Sequence, residues 1–166
     1  GSKTRPMKIL RIPYVFYASL LFVLSMLPAF VLLFVGKILP ARIQQRYSNT
    51  ILCWWALWWH QMIGIPVVAE GLKPEWKKDT MVVVTNHTSF LDTPASYITI
   101  PHLIRTLAKR ELLKLPVMGT IFTTSSIMVD RSSPESRRAS FDRMGRYTQN
   151  GTSILIFPEG TQNRTP

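Results

Sequence analysis

The stretch VVVTNHTSFLD, residues 82–92, decides the fold prediction, because an apolar run stops there on two ionisable side chains. Val82, Val83 and Val84 are β-branched and apolar, as in a short strand that is covered on both faces. His87 and Asp92 follow within one loop, and Asp92 stands where a helix is expected to begin. The stretch therefore predicts a buried strand that carries a histidine and a carboxylate to its end.

The same pattern continues to the end of the chain. Short apolar runs predict strands over residues 81–85, 104–107, 127–130 and 152–157. Helices are predicted after Thr93, over 109–114, and from Ser133 to Asn150. Strands that alternate with helices predict an α/β fold, a mainly parallel sheet flanked by helices. Ligands bind such sheets at the carboxyl ends of strands, where both the 86–92 and the 157–164 motifs fall.

The segment before this domain is predicted to anchor the chain in a membrane. Residues 12–36 carry no charge, and this uncharged stretch has about the length of a membrane-crossing helix. Pro28 is expected to kink that helix, and basic residues on both sides favour a helix that dips into one leaflet. The alternative is a hairpin of two transmembrane helices. A second helix over 41–64 is expected to place its four tryptophans on one interfacial face, at Trp54, Trp55, Trp58 and Trp59.

These features divide the chain into three expected parts. Residues 1–6 are a tag or disordered start, 7–69 are membrane-anchoring helices, and 70–166 are an α/β domain that is short at its carboxyl end. The charge of +11 indicates an anionic partner. Cys53 is the single cysteine of the sequence, so no internal disulfide forms and a cytoplasmic face is permitted for the catalytic domain.

Three groups of side chains are suited to chemistry. A carboxylate such as Asp92 orients a histidine such as His87 as a general base, although a loop histidine beside a helix cap has the same spacing. In FPEGTQNR, residues 157–164, polar groups surround a glycine that admits a ligand, or the motif is a plain turn. Arg131 is suited to a phosphate, or it pairs with a neighbouring acid.

Taken together, NHTSFLD, AKRELLKLPVMG, IMVDR and FPEGT, in this order and spacing, resemble the motifs of the glycerolipid acyltransferase family, which includes 1-acylglycerol-3-phosphate acyltransferases. The resemblance covers roughly residues 80–164. It implies that His87 is the general base and that Asp92 orients it. It also implies a set of substrate-binding residues, namely Asn86, Lys109, Arg131, Glu159, Gly160, Thr161 and Arg164.

The family pattern has arginine directly after Gly-Thr, whereas this chain has Gln162. Because glutamine carries no charge, three explanations are open: Arg164 replaces that arginine, the acceptor depends less on a phosphate, or the residue was engineered. The expected reaction moves an acyl group from acyl-CoA or acyl carrier protein to the hydroxyl of a lysophospholipid. The acceptor expected first is 1-acylglycerol-3-phosphate. The expected setting is a membrane, with no resident cofactor, no metal and no nucleic acid.

Two other classes of function remain open from the residues alone. A basic membrane-tethered binding module would use the positive charge without catalysis, and its binding would depend steeply on salt. A metal hydrolase would use His87, Asp92 and Glu159 as ligands.

Overall fold

A computed structural model describes residues 5–130 and 133–162. Single turns of 3₁₀ helix cover Gly36–Ile38, Pro74–Lys77 and Arg110–Lys114. The helices and strands, in chain order, are α1 (Arg5–Val35), α2 (Ala41–Met62), β1 (Val82–Val84), α3 (Asp92–Thr99), β2 (Ile104–Lys109), α4 (Pro116–Ser125), β3 (Ser126–Val129), α5 (Pro134–Gln149) and β4 (Ser153–Ile156).

The strands form one parallel sheet in the order β1-β4-β2-β3. Val84 at the end of β1 lies opposite Ile156 at the end of β4, and Thr106 of β2 lies opposite Ser126 of β3. The predicted parallel α/β fold is confirmed. Because β1 and β4 are neighbours, the loops that follow them emerge side by side.

Local sequence explains where helix α5 begins and ends. The hydroxyl of Ser133 accepts a hydrogen bond from the backbone N–H of Ser136 at 3.2 Å, and Pro134 occupies the first turn, where a missing N–H costs nothing. Gly151 follows the helix with a φ of +79°, a conformation that glycine adopts without strain. The predicted boundaries of this helix agree with the structure.

The region around residues 109–125 differs from its prediction. The helix predicted over 109–114 is present as a short 3₁₀ helix over Arg110–Lys114, and it begins one residue later because strand β2 continues to Lys109. Helix α4 was not predicted at all, since its many β-branched and hydroxyl side chains have weak helix propensity. Gly119 of α4 permits a close contact with the preceding 3₁₀ helix, because a Cβ atom at this position would lie 2.6 Å from the carbonyl oxygen of Leu113.

Helices α1 and α2 pack on the α/β domain and share its core. Leu33 of α1, Ala56 of α2, Ile104 of β2 and Ile121 of α4 are all buried in one apolar cluster. Helix α1 continues through Pro13 and Pro28, and within the described residues it is the helix long and apolar enough to cross a membrane. Its outer side is exposed and apolar.

The four tryptophans of α2 do not share one face, so that prediction is wrong. Trp54 and Trp58 are 69% and 46% exposed. Trp59 is buried, and its ring stacks on that of Trp55 with centroids 5.8 Å apart. Adjacent positions on a helix are turned by about 100°. Trp54 and Trp58 therefore face the solvent, whereas Trp55 and Trp59 face α1.

Candidate active site

His87 and Asp92 are hydrogen-bonded to each other at the end of β1. The Nδ1 atom of His87 lies 3.0 Å from Oδ2 of Asp92, and their side chains are 20% and 22% exposed. The backbone N–H groups of Thr88 and Ser89 donate to the same carboxylate oxygen, each at 2.8 Å. The loop between the strand and α3 thus wraps around the Asp92 carboxylate and fixes it toward the imidazole.

This arrangement selects one form of the imidazole ring. When Asp92 accepts the proton of Nδ1, the lone pair is left on Nε2, which becomes the proton-accepting nitrogen. The ring of Phe157, at the end of β4, lies against the imidazole with centroids 4.3 Å apart and planes inclined at 31°. The histidine is therefore held by a hydrogen bond on one edge and by an aromatic face.

The FPEG loop completes this part of the sheet edge. Oε1 of Glu159 accepts a hydrogen bond of 3.4 Å from the backbone N–H of His87, which joins the two motifs directly. The N–H of Gly160 donates to the carbonyl oxygen of Phe157 at 3.0 Å, and Gly160 has a φ of +65°. Since that φ favours glycine, the tight turn explains why a glycine stands here.

The other predicted substrate-binding residues occupy different positions. Lys109 and Gly160 line the same cavity as His87. Asn86, Glu159 and Thr161 are exposed at the sheet edge. Arg131 lies outside the described residues, and so does Arg164, the residue predicted to replace the charge that is missing at Gln162.

A cavity of about 690 Å³ opens beside His87 and is lined mostly by apolar side chains. Part of its wall comes from the sheet and from α3 and α4. The rest comes from the two amino-terminal helices, through Phe22, Met26, Leu52 and Trp55. Sequence reasoning assigned these residues to the membrane anchor alone. No local pattern marks them as cavity residues, because their role depends on how α1 and α2 pack.

The described residues offer little to the metal-hydrolase alternative. Over 5–130 and 133–162, no three His, Cys, Asp or Glu side chains are grouped so that they could hold a metal ion. The one carboxylate that meets the imidazole ring, Asp92, is already bound by two backbone N–H groups. Hydrogen bonding of this kind suits a carboxylate that orients the imidazole.

Known proteins with similar sequences share this site region. The chain is 29% identical over 106 residues to 1-acyl-sn-glycerol-3-phosphate acyltransferase of Cocos nucifera, which covers 63% of this chain and 34% of that protein. It is 31% identical over 110 residues to the enzyme of the same name from Borreliella burgdorferi, with 66% of this chain and 43% of that protein covered. The chain thus spans well under half the length of these curated relatives.

The fold is also found in a solved structure. The crystal structure of the 1-acyl-sn-glycerophosphate acyltransferase from Thermotoga maritima superposes with a TM-score of 0.74 over 94% of this chain and 63% of that one, at 20% sequence identity. A family model described as Acyltransferase matches residues 66–166, which include both loops of the site. The chain therefore belongs to the acyltransferase family.

Proposed function

We propose that this protein transfers an acyl group from a thioester donor, acyl-CoA or acyl carrier protein, to the free hydroxyl of a lysophospholipid. The preferred acceptor in this proposal is 1-acylglycerol-3-phosphate, and the product is then phosphatidic acid. The single observation that carries the proposal is the His87–Asp92 pair at the mouth of a large apolar cavity. A base placed beside an apolar cavity suits a reaction between an alcohol and a fatty acyl thioester.

In the proposed reaction, Nε2 of His87 removes the proton of the acceptor hydroxyl as its oxygen attacks the thioester carbonyl. Asp92 holds the ring and stabilises the imidazolium that forms. The tetrahedral intermediate collapses, the carbon–sulfur bond breaks, and the proton leaves with the thiolate as a thiol. Because a thiolate is a good leaving group, the chain needs no nucleophile of its own.

Four backbone N–H groups between Thr88 and Asp92 are already used in hydrogen bonds within the loop. Those of Thr88 and Ser89 donate to Asp92, that of Leu91 donates to the Ser89 hydroxyl at 3.2 Å, and that of Asp92 donates to the Ser89 carbonyl. This local network supports the orienting role of Asp92.

The acceptor headgroup is proposed to lie at the carboxyl edge of the sheet, beside the two loops. Lys109 lines the cavity at that edge, at the end of β2, and its ammonium group suits a phosphate. The resemblance assigns Arg131 and Arg164 to the binding of the acceptor as well, and Asn86, Glu159, Gly160 and Thr161 would bind its polar part. The assignment of these roles rests on the resemblance and on the shared edge.

The proposed function is tested by incubating the protein in lipid nanodiscs with labelled acyl-CoA and a panel of lysophospholipids, and then identifying the product. We expect a diacyl product with 1-acylglycerol-3-phosphate. The His87→Ala variant should lose about 10²- to 10⁴-fold in turnover, the range typical of general-base catalysis. The matched control is His102→Ala, since His102 binds the carbonyl oxygen of Trp76 away from the site. Equal turnover of the two variants would refute the role of His87.

The same proposal includes the position of the protein on the membrane. Met26, Ala29 and Leu33, in the carboxyl half of α1, are 5%, 4% and 0% exposed, and both α2 and helix α4 of the α/β domain pack on α1. If α1 crossed the bilayer, this domain would be forced into the hydrocarbon, where its loops and sheet edge would lack water. We propose that α1 lies in the plane of one leaflet, with the catalytic domain on the cytoplasmic face.

Exposed side chains of both helices fit this orientation. Large apolar residues follow the outer side of α1, and two tryptophans project from α2; they include Val23, Leu27, Val31, Phe34, Trp54 and Trp58. Tryptophan prefers the headgroup level, and the basic residues near both ends of α1 suit anionic lipid. The helix pair would thus present the cavity to lipid substrates.

Thiol labelling tests the orientation. In a Cys53→Ser background, Arg11→Cys and Lys37→Cys mark the two ends of the apolar part of α1. In sealed vesicles, we expect a membrane-impermeant thiol reagent to label both cysteines from the same side. Labelling of one from outside and of the other only after the vesicles are opened would show a helix that crosses the bilayer.

A further inference from the structure

The deep part of the cavity differs from its apolar walls, because hydroxyl groups are clustered there. Oγ1 of Thr106 lies 2.7 Å from Oγ of Ser126, and Oγ of Ser126 lies 3.4 Å from that of Ser125. The Ser125 hydroxyl donates to the carbonyl oxygen of Ile121 at 2.6 Å. These three residues and Tyr97 all line the cavity. We call this group the hydroxyl cluster.

Tyr97 is the member whose hydrogen bonding is incomplete. Its side chain is 7% exposed, and its hydroxyl is buried without a hydrogen-bond partner among the described residues. Ser125 is near enough to influence the phenol, but the two hydroxyls do not meet hydrogen-bond geometry. Burial raises the pKa of Tyr97 to about 12, while Ser125 and the charge of Arg105 act in the opposite direction. The phenol is therefore protonated at neutral pH and offers a donor.

Each of the other three hydroxyl groups can donate its proton in a hydrogen bond to a neighbouring oxygen atom. Thr106 can donate to Ser126, Ser126 to Ser125, and Ser125 donates to the Ile121 carbonyl. The O–H of Tyr97 is then the surplus donor. A buried polar group without a partner is uncommon in folded proteins and calls for an acceptor that enters the cavity.

Two independent lengths place the hydroxyl cluster well below the mouth of the cavity. Along β2, Thr106 precedes Lys109 at the strand end by three residues, or about 10 Å at roughly 3.3 Å per residue. Along α3, Tyr97 follows Asp92 by five residues, or about 7.5 Å at roughly 1.5 Å per residue. An acyl chain whose carbonyl lies at His87 would reach the cluster with carbons well beyond the thioester.

We propose that the hydroxyl cluster is a hydrogen-bonding subsite for an oxygen atom carried within the acyl chain of the donor. This inference rests on the proposed acyl transfer and deepens it, since it names the class of chain that the cavity favours. The preferred donor carries a hydroxyl or keto oxygen at the depth of Tyr97, and that oxygen accepts a hydrogen bond from the phenol O–H. An unsubstituted chain at the same depth leaves Tyr97 without a partner.

The chemistry of the cavity explains the selectivity. An oxygen-bearing chain loses water when it enters the apolar walls, and the loss is offset where the oxygen meets a donor. A plain alkyl chain has no polar group that loses water. It does, however, exclude water from the Tyr97 hydroxyl and offers that hydroxyl no acceptor. Discrimination of this kind is typical of sites built around a hydroxyl donor.

Binding of non-reactive thioether analogues of acyl-CoA tests the proposal without requiring turnover. The analogues have one chain length and either no substituent or a single hydroxyl moved stepwise along the chain. Competition with a fluorescent fatty acid in nanodiscs gives their relative affinities. We expect one hydroxyl position to bind roughly two- to tenfold more tightly than the plain chain, the effect of one neutral hydrogen bond.

The Tyr97→Phe variant removes the phenol oxygen and keeps the ring. It should abolish the preference, so that the hydroxylated and the plain analogues bind this variant with equal affinity. Thr106→Val should weaken the preference in the same direction. The matched control is Tyr17→Phe, because the Tyr17 hydroxyl donates to the carbonyl oxygen of Met62 outside the cavity; its preference should equal that of the parent protein.

The outcomes separate this inference from the proposed function. Equal affinity for all positions, or a preference that survives Tyr97→Phe, overturns the subsite. Acyl transfer from plain donors can still be observed in that case. Conversely, hydroxyl-dependent binding without any transfer to lysophospholipids would retain the subsite and refute the proposed reaction.

Discussion

The ring of Phe22 on α1 meets the ring of Phe90 in the loop after His87, with centroids 4.9 Å apart in an edge-to-face arrangement. Phe22 also contacts Trp55 and Trp59 of α2 at 5.2 and 5.1 Å. An aromatic residue of the proposed anchor thus supports the loop that carries the candidate base. The anchor and the site are parts of one packed unit.

Phe22→Ala should therefore reduce both stability and activity. Loss of a packed aromatic side chain is expected to cost about 3 kcal/mol, and the freed Phe90 loop should lower kcat. Thermal unfolding in detergent and the acyl-transfer assay measure the two effects. Phe16→Ala is the control, since Phe16 is 69% exposed on the same helix. If both variants behave alike, the Phe22–Phe90 contact has no special role.

Asp92→Asn tests the orienting carboxylate. An amide at this position can still accept from the N–H groups of Thr88 and Ser89, so the loop should keep its shape. It no longer stabilises the imidazolium or fixes the Nδ1 proton, and we expect kcat to fall by roughly 10³- to 10⁴-fold with little change in KM. A non-catalytic binding module would retain its full function in this variant. Circular dichroism and thermal unfolding would verify that the fold is intact.

Phe157→Leu tests the aromatic contact on the imidazole. Leucine fills much of the space but lacks the flat face that lies 4.3 Å from the His87 ring. The imidazole then samples more orientations, and we expect a roughly three- to tenfold lower kcat with an unchanged KM. Steady-state kinetics at saturating acceptor provide the measurement. A change confined to KM would instead place Phe157 in substrate binding.

Gln162→Arg tests whether the acceptor carries a phosphate near the second motif. Gln162 stands where the family pattern has arginine, and it lies just beyond the exposed Thr161. If the phosphate lies there, an added guanidinium should lower KM for 1-acylglycerol-3-phosphate by roughly tenfold or more, the effect of a charge-assisted hydrogen bond. KM for a lysophospholipid with an uncharged headgroup should not change. An equal effect on both acceptors would argue against a phosphate site at this position.

Glu135→Gln tests a pH-dependent contribution to stability at the start of α5. The pKa of Glu135 is lowered from its ordinary value of 4.5 by a hydrogen bond from its own backbone N–H and by the Ser133 hydroxyl, which donates at 2.8 Å. Because the folded-state pKa is depressed, the stabilisation is present above pH 4.5 and is lost as the pH falls through the folded value. Urea unfolding should show a small deficit of the variant at pH 7 that disappears in acid. A deficit that persists in acid would assign the effect to helix packing.

Local sequence could predict a large part of this fold. The β-branched runs predicted all the strands of the described sheet to within about two residues, and the Ser133-Pro134 start predicted α5. Helix α4 escaped prediction because its side chains have weak helix propensity and its stability comes from packing at Gly119 and Ile121. The division of the tryptophans also depended on the packed partners, since the buried sides of α2 are set by the helices α1, α3 and α4 that lie against it.

The sequence by itself determined the candidate pair His87 and Asp92, because a loop with only four residues between them suffices to bring their side chains into contact. Only the tertiary structure decided that β1 lies beside β4, which joins His87 to Glu159 across 72 positions and places Phe157 on its ring. It also decided that α1 and α2 wall the cavity. Contacts between distant segments depend on strand order and on the burial of whole faces, and these are properties of the assembled chain that no local spacing contains.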